Sequence, residues 1–136
     1  MESISLRQLQ VVEDQLAQIK EAIGHLQDWN RDLKSVDDLL TSPSGMKTLA
    51  ADCMLIEAIG ESVKRIDEKT NGMLFVLRPE IPWNQVKGMR NHIAHGYFDI
   101  NTDYVWDVIH NDLLPLQEAI EYLHHNLFDL IPFNEE

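Results

Sequence analysis

One stretch of eight residues, 90–97, concentrates side chains that can do chemistry at neutral pH. Arg90 carries a guanidinium that can bind an anion with two hydrogen bonds, and His95 can accept or donate a proton. Tyr97 adds a hydroxyl group. A permanent cation so close to a titratable imidazole predicts a site that handles phosphate groups.

Helical geometry limits how these side chains can cooperate. Asn91 and His95 are four residues apart and share a face of a helix, so we expect Asn91 to support and orient the His95 imidazole. Arg90 and His95 are five apart and would point about 140° away from each other. They can meet on one ligand only if the helix frays near Gly96 or if a second subunit completes the site. This geometry favours a cleft between two subunits.

The elements that carry this stretch are predicted to be helices. Apolar residues recur every three or four positions from about 5 to 29, from 42 to 69 and from 101 onwards. A short helical piece is expected at 36–40, and a further helix that begins near Pro82 carries the chemical residues near its C-terminal end.

These segments predict an all-α fold, an antiparallel bundle of four to five helices that forms a single domain over residues 1–136. Trp29, Trp83 and Trp106 lie at helix edges or on apolar stripes, so we expect them to pack in the core. Pro115 should kink the last helix because it lacks a backbone N–H.

The charge is distributed unevenly along the chain. The formal net charge of -12 argues against binding a polyanion, which usually depends on clustered basic residues. However, residues 43–97 hold seven basic and six acidic side chains, whereas residues 98–136 hold nine acidic and no basic ones. The acidic third is either a solvated face that keeps the protein soluble or a docking surface for a basic partner.

The composition also suggests where the protein works. The single cysteine, Cys53, cannot form an internal disulfide, and the first residues lack both a basic and an apolar signal region. No apolar run approaches the roughly 20 residues that cross a bilayer. We therefore expect a cytoplasmic protein that does not use a membrane. We also expect no cofactor.

The spacing of Arg90, His95 and Tyr97, R-x4-H-x-Y, resembles the signature of HEPN-type ribonucleases and specifically of the HepT-like toxins. The resemblance covers about residues 43–120. Besides the signature it includes the segments 55–65, 80–83, 88–91 and 104–106.

The resemblance implies a homodimer whose cleft cleaves RNA without a metal, with Arg90 and His95 as catalytic residues. It also implies a type VII-like toxin–antitoxin pair, in which an MntA-like nucleotidyltransferase antitoxin silences the toxin by transferring AMP to Tyr97. A phosphate and a bulky adenosine at that position would block RNA by charge and volume.

RNA cleavage of this kind needs a base for the 2′-hydroxyl proton, an acid for the leaving 5′-oxygen and a cation for the crowded phosphorane. His95 suits the first two roles because an unperturbed pKa of about 6.5 leaves both protonation states populated. Arg90 suits the third because its planar fork matches phosphate oxygens. A symmetric cleft would hold two copies of each, so that one histidine could act as base and the other as acid.

Two other hypotheses stay open at this point. The chain could be a non-catalytic helical partner subunit of a minimal nucleotidyltransferase, for which the acidic last third is the cue. It could also be a metal-binding bundle, because His92 and His95, Asp107 and His110, and Glu121 and His124 are each three residues apart. The apolar stripe of the last helix argues against a metal centre there, since the polar pairs flank it. The family resemblance does not settle the role of His92.

Overall fold

A computed structural model of the chain describes residues 3–96 and 98–135. Three long helices, α1 (Leu6–Asn30), α3 (Pro43–Lys69) and α7 (Leu113–His125), form the body of the molecule, and α1 packs against both of the others. Gln27 of α1 donates to Gln117 of α7 at 3.0 Å. Lys20, which comes earlier in α1, approaches His124, which comes later in α7. The two helices therefore run antiparallel, and the all-α bundle is confirmed.

The first helix begins where its sequence predicts. Ser5 caps α1 through a hydrogen bond from the Gln8 backbone N–H at 3.1 Å, and the Gln8 side chain accepts from the Ser5 backbone N–H. Such a reciprocal cap satisfies two donors that the first helical turn leaves free. The predicted apolar stripe is buried along its whole length: Leu9, Val12, Leu16, Ile19, Ile23 and Leu26.

The second long helix is also confirmed. The short α2 (Asp37–Leu40) precedes it, and Ser42 caps α3 by accepting from the Gly45 backbone N–H at 2.9 Å, with Pro43 in the first helical position. Its stripe faces the core: Leu49, Cys53, Ile56, Ile59, Gly60, Val63 and Ile66.

The region between the long helices is more broken than the sequence predicts. A single 3₁₀ turn (Phe75–Leu77) is followed by two short helices, α4 (Trp83–Lys87) and α5 (Arg90–Ile93), in place of one continuous helix from Pro82. The break falls at Gly88, a weak helix former. Three apolar residues of this segment are nevertheless buried: Val86, Met89 and Ile93.

Close packing fixes this region on α3. A Cβ atom at Gly60 would lie 2.7 Å from the backbone oxygen of Val86, so only glycine allows α4 to approach so closely. Trp83 is buried against Phe75, with ring centroids 4.3 Å apart, and its indole N–H donates to the Arg78 backbone oxygen at 2.8 Å. Gly60 and Trp83 together anchor the segment that leads into residues 90–97.

The last helical region begins near residue 101, as the apolar spacing predicts. Asn101 caps α6 (Thr102–Asp107) by accepting from the Tyr104 backbone N–H. A π-helical turn, Val108–Asp112, then joins α6 to α7, just before Pro115. A π turn is a recognised cause of local distortion in a helix. The structure thus has an irregularity close to Pro115, where the sequence predicts a kink.

Two features were not expected from the sequence. The short α8 (Leu127–Leu130) is followed by a two-residue strand, β2 (Phe133–Asn134), that pairs in parallel with β1 (Ile4–Ser5). This pair ties the two ends of the described chain together. No helix of the described residues has the length and apolar character needed to span a bilayer.

Candidate active site

The helix that carries Arg90 ends before His95. α5 stops at Ile93, and Ala94 is fully extended, with φ -161° and ψ 152°. His95 therefore leaves the helix, and the divergence of about 140° expected for two helical residues does not apply. The sequence leaves two ways for Arg90 and His95 to reach one ligand, an early end of the helix or a second subunit. The structure has the early end, since α5 stops three residues before Gly96.

A tight loop holds His95 in place. Ala94 and Ile100 pair as an antiparallel bridge, and the His95 backbone N–H donates to the Asp99 oxygen at 3.2 Å. The Asn101 backbone N–H donates to the Ile93 oxygen at 2.7 Å, which closes the loop on the end of α5. Gly96 turns the chain with φ 145°, a value that favours glycine. Main-chain hydrogen bonds thus fix the position of His95.

Arg90 and His95 line the same open cleft, of about 810 Å³, between α5, the 94–100 loop and the face of α3. Both residues are exposed. The cleft is within the range of typical ligand sites. The residues that α3 contributes to its wall are Ala50, Cys53, Met54 and Glu57.

The other predicted site residues have separate outcomes. Asn91 lies on the cleft wall beside His95, but among the described residues no hydrogen bond joins its side chain to the imidazole. The support of His95 by Asn91 stays a prediction. Tyr97, the predicted AMP acceptor, lies outside the described residues.

The structure separates the acidic residues of α3, which the sequence could not do. Glu57 lines the cleft and brings a carboxylate to the same space as Arg90. Asp52 instead points into the protein and is fully buried. Burial and the nearby carboxylates of Asp52 and Glu57 raise the pKa of the neighbouring Cys53 thiol to about 11, so this cysteine is a poor nucleophile near neutral pH.

Asp52 forms a buried polar pair with α1. The Asn30 side-chain N–H donates to Asp52 Oδ1 at 2.8 Å, while Asn30 Oδ1 and Asp52 Oδ2 are buried without a hydrogen-bond partner among the described residues. Burial raises the pKa of Asp52 to about 7, and the hydrogen bond from Asn30 only partly offsets that effect. Asp52 is the chain neighbour of Cys53, which lines the cleft, but the pair itself does not line the cleft.

The metal hypothesis gains no support from the described residues. None of their histidine, cysteine, aspartate and glutamate side chains form a group of three or more that could hold a metal ion. His124 approaches the Lys20 ammonium at 3.4 Å, and burial together with this cation lowers the pKa of the imidazole. His110 stacks on Trp106 with ring centroids 3.8 Å apart.

The expected burial of the tryptophans is confirmed only for Trp83. Trp106 is partly buried against the core, whereas Trp29 is 42% exposed and stacks on His25 at the surface. Trp29 stands next to the last residue of α1, where the helix face turns away from the core, so the prediction for it was wrong.

Comparison with known proteins identifies the class. The family model described as "Ribonuclease HepT-like" matches residues 9–123, which includes most of the first helix as well as the segment that resembles the family. The chain therefore belongs to the HepT-like family.

Two relatives are similar over most of their length. The chain is 31% identical to "Probable ribonuclease HepT" of Thermococcus cleftensis over 110 residues, which are 81% of this chain and 93% of that protein. It is 30% identical to "Putative RNase MJ0127" of Methanocaldococcus jannaschii over 111 residues, which are 78% of this chain and 84% of the relative. No solved structure gives a significant match.

Proposed function

We propose that the protein is a metal-independent endoribonuclease in which Arg90 and His95 are the catalytic residues. The observation that carries the proposal is their position in one cleft, together with membership of a family whose description and relatives are named as ribonucleases. The cleft combines a permanent cation with a group that exchanges protons near neutral pH.

The reaction follows from these two groups. A base removes the proton of the ribose 2′-hydroxyl, the 2′-oxygen attacks the adjacent phosphorus, and the bond from phosphorus to the 5′-oxygen breaks. An acid gives a proton to that leaving oxygen, so the products are a 2′,3′-cyclic phosphate and a 5′-hydroxyl end. His95 supplies the proton transfers and the Arg90 guanidinium stabilises the negative charge that builds on the phosphorane oxygens.

A second copy of the chain would supply the second imidazole. The support is an apolar stripe on α3, formed by Met46, Ala50, Met54 and Ala58, whose side chains are exposed. Met54 is 70% exposed, and both Ala50 and Met54 also line the cleft. A homodimer that buries this stripe would bring two clefts together, so that one His95 acts as base and the other as acid. Exposed apolar patches commonly mark such interfaces.

The same site offers a point of control. In a type VII-like toxin–antitoxin pair, the Tyr97 phenol oxygen would attack the α-phosphorus of ATP bound to an MntA-like nucleotidyltransferase, and pyrophosphate would leave. Gly96, which precedes Tyr97 in the sequence, lines the cleft, and this supports control of the site by an AMP group. Its negative phosphate would repel RNA and its adenosine would occupy space that RNA needs.

Replacing Met46 by glutamate tests the shared site, because Met46 is 55% exposed on the stripe and does not line the cleft. A charge on the stripe should convert the dimer to a monomer, and the monomer should lose RNA cleavage at least about tenfold because it lacks the second imidazole. Light scattering measures the mass, and a labelled single-stranded RNA in buffer with a chelator measures cleavage. Val76→Glu is the matched control, because Val76 is 66% exposed and lies away from the stripe.

Three results would count against the proposal. If the parent protein were a monomer, there would be no shared site. A Met46→Glu monomer as active as the parent would show that one chain suffices. A parent protein that binds a nucleotidyltransferase but degrades no RNA at any protein dose would favour the alternative, a non-catalytic helical partner subunit.

A further inference from the structure

A second cavity, of about 380 Å³, is also lined in part by His95. The Arg90 cleft and the second cavity both have Asn91 and His95 in their walls. A ligand that binds at His95 can therefore place one group in the cleft and another in the second cavity. The second cavity adds the side chains of His92, Asp99 and Asn101 to the shared wall. Its volume is in the range of sites that hold small molecules.

The charges of the two spaces differ. Arg90 lines only the first, and none of the described residues that line the second carries a permanent positive charge. Asp99 lines the second and carries a negative charge at neutral pH. A phosphate group would be repelled there, whereas a neutral ring with N–H donors would be accepted.

His92 gives the second cavity an aromatic surface. Its imidazole is exposed and leans on Tyr104, with ring centroids 5.4 Å apart and planes inclined by 36°. Tyr104 packs partly against the core, so it supports the His92 ring from behind. Asn101 Oδ1 accepts from the Tyr104 backbone N–H at 3.1 Å, which orients the amide and leaves its N–H₂ group to donate.

We propose that the second cavity binds the base of a nucleotide next to the scissile phosphate, with His92 as the stacking surface and Asp99 and Asn101 as hydrogen-bond partners. This inference rests on the proposed RNA cleavage at His95. Proteins that bind single-stranded RNA commonly stack unpaired bases on aromatic rings and read their edges with polar side chains. His92 is thus a substrate-positioning residue, separate from the proton transfers of His95.

Replacing His92 by alanine tests the stacking role. The KM for a short fluorescein-labelled single-stranded RNA should rise about tenfold, while kcat stays near that of the parent, because the lost contact binds substrate and transition state alike. His92→Phe keeps a ring and should restore KM to within about twofold of the parent. His110→Ala is the matched control, since His110 also stacks on an aromatic ring but lies outside both cavities.

An RNA that carries one abasic ribonucleotide beside the cleavage site makes the test specific. When the abasic nucleotide is the one whose base would enter the second cavity, His92→Ala and the parent should have the same KM. An equal loss on intact and abasic RNA, or no change of KM in His92→Ala, would overturn the inference.

A binding measurement separates this inference from the proposed function. Fluorescence anisotropy of the same RNA is measured with His95→Ala and with the double variant His92→Ala/His95→Ala. If the parent cleaves no RNA, but the double variant binds the RNA about tenfold more weakly than His95→Ala does, the proposed catalysis fails and the base site stands. If the parent cleaves RNA and neither KM nor the dissociation constant depends on His92, the base site fails and the catalysis stands.

Discussion

His95→Ala is expected to lower kcat/KM for RNA cleavage by about a thousandfold, because it removes the group that we propose transfers protons to and from the reacting oxygens. His95 is exposed at the cleft and its backbone is held by the 94–100 loop, so the substitution leaves the fold intact. A labelled single-stranded RNA in chelating buffer gives the rate, and circular dichroism with light scattering checks the fold and the mass.

Arg90→Ala should also lower kcat/KM, by about a hundredfold or more, since it removes the cation that we propose stabilises the phosphorane. Arg90→Lys should recover only part of the activity, because an ammonium keeps the charge and loses the two-pronged hydrogen bonding. The exposed Arg31, which pairs with Asp28 at the end of α1, provides the control variant Arg31→Ala. Cleavage by folded His95→Ala at the parent's rate would contradict the assigned roles.

Asp52→Asn is expected to stabilise the protein at neutral and alkaline pH. At pH 8 the folded parent holds an ionised, buried Asp52 with one unpaired oxygen. An asparagine in the same place carries no charge, and its N–H₂ group can donate to the unpaired Asn30 Oδ1.

The pH dependence of this effect has a defined sign. The pKa of Asp52 is about 7 in the folded protein, whereas it is about 3.9 in an unfolded chain. Between these values the folded state holds a proton that the unfolded state has lost, so the parent loses stability as the pH rises and the loss is complete above pH 7. The advantage of Asp52→Asn over the parent should therefore grow by about 3 kcal/mol from pH 5 to pH 8.

Urea unfolding of both proteins at pH 5 and pH 8 measures this difference. Asp14→Asn serves as the control, because Asp14 is an exposed carboxylate of α1. The account of the buried pair would be wrong if the free-energy difference between Asp52→Asn and the parent were the same at both pH values.

The regular parts of the fold could be predicted from the sequence because they follow from periodicity. The stripes of α1 and α3, with the caps at Ser5 and Ser42, specify where each helix begins and which face it buries. The burial of Asp52 also has a signal in the sequence. It is three residues after Leu49 and four before Ile56, which places it on the stripe itself.

The geometry of the site could not be predicted in the same way. It depends on a short helix that ends at Ile93 and on an extended residue, Ala94, whose conformation comes from the hydrogen bonds of the 94–100 loop. Periodicity carries no information about such a loop. The position of Glu57 on the cleft wall likewise depends on how α5 packs across α3, which is a tertiary contact.

One substrate tests the central claim most directly: a single-stranded RNA in which the ribose before the cleavage site lacks its 2′-hydroxyl. In chelating buffer the parent protein should cut the all-ribose RNA to a 2′,3′-cyclic phosphate and a 5′-hydroxyl end. It should leave the substituted position intact, because the attacking oxygen is missing. Cleavage at the substituted position, or cleavage of the all-ribose RNA that stops when the chelator is added, would contradict the account.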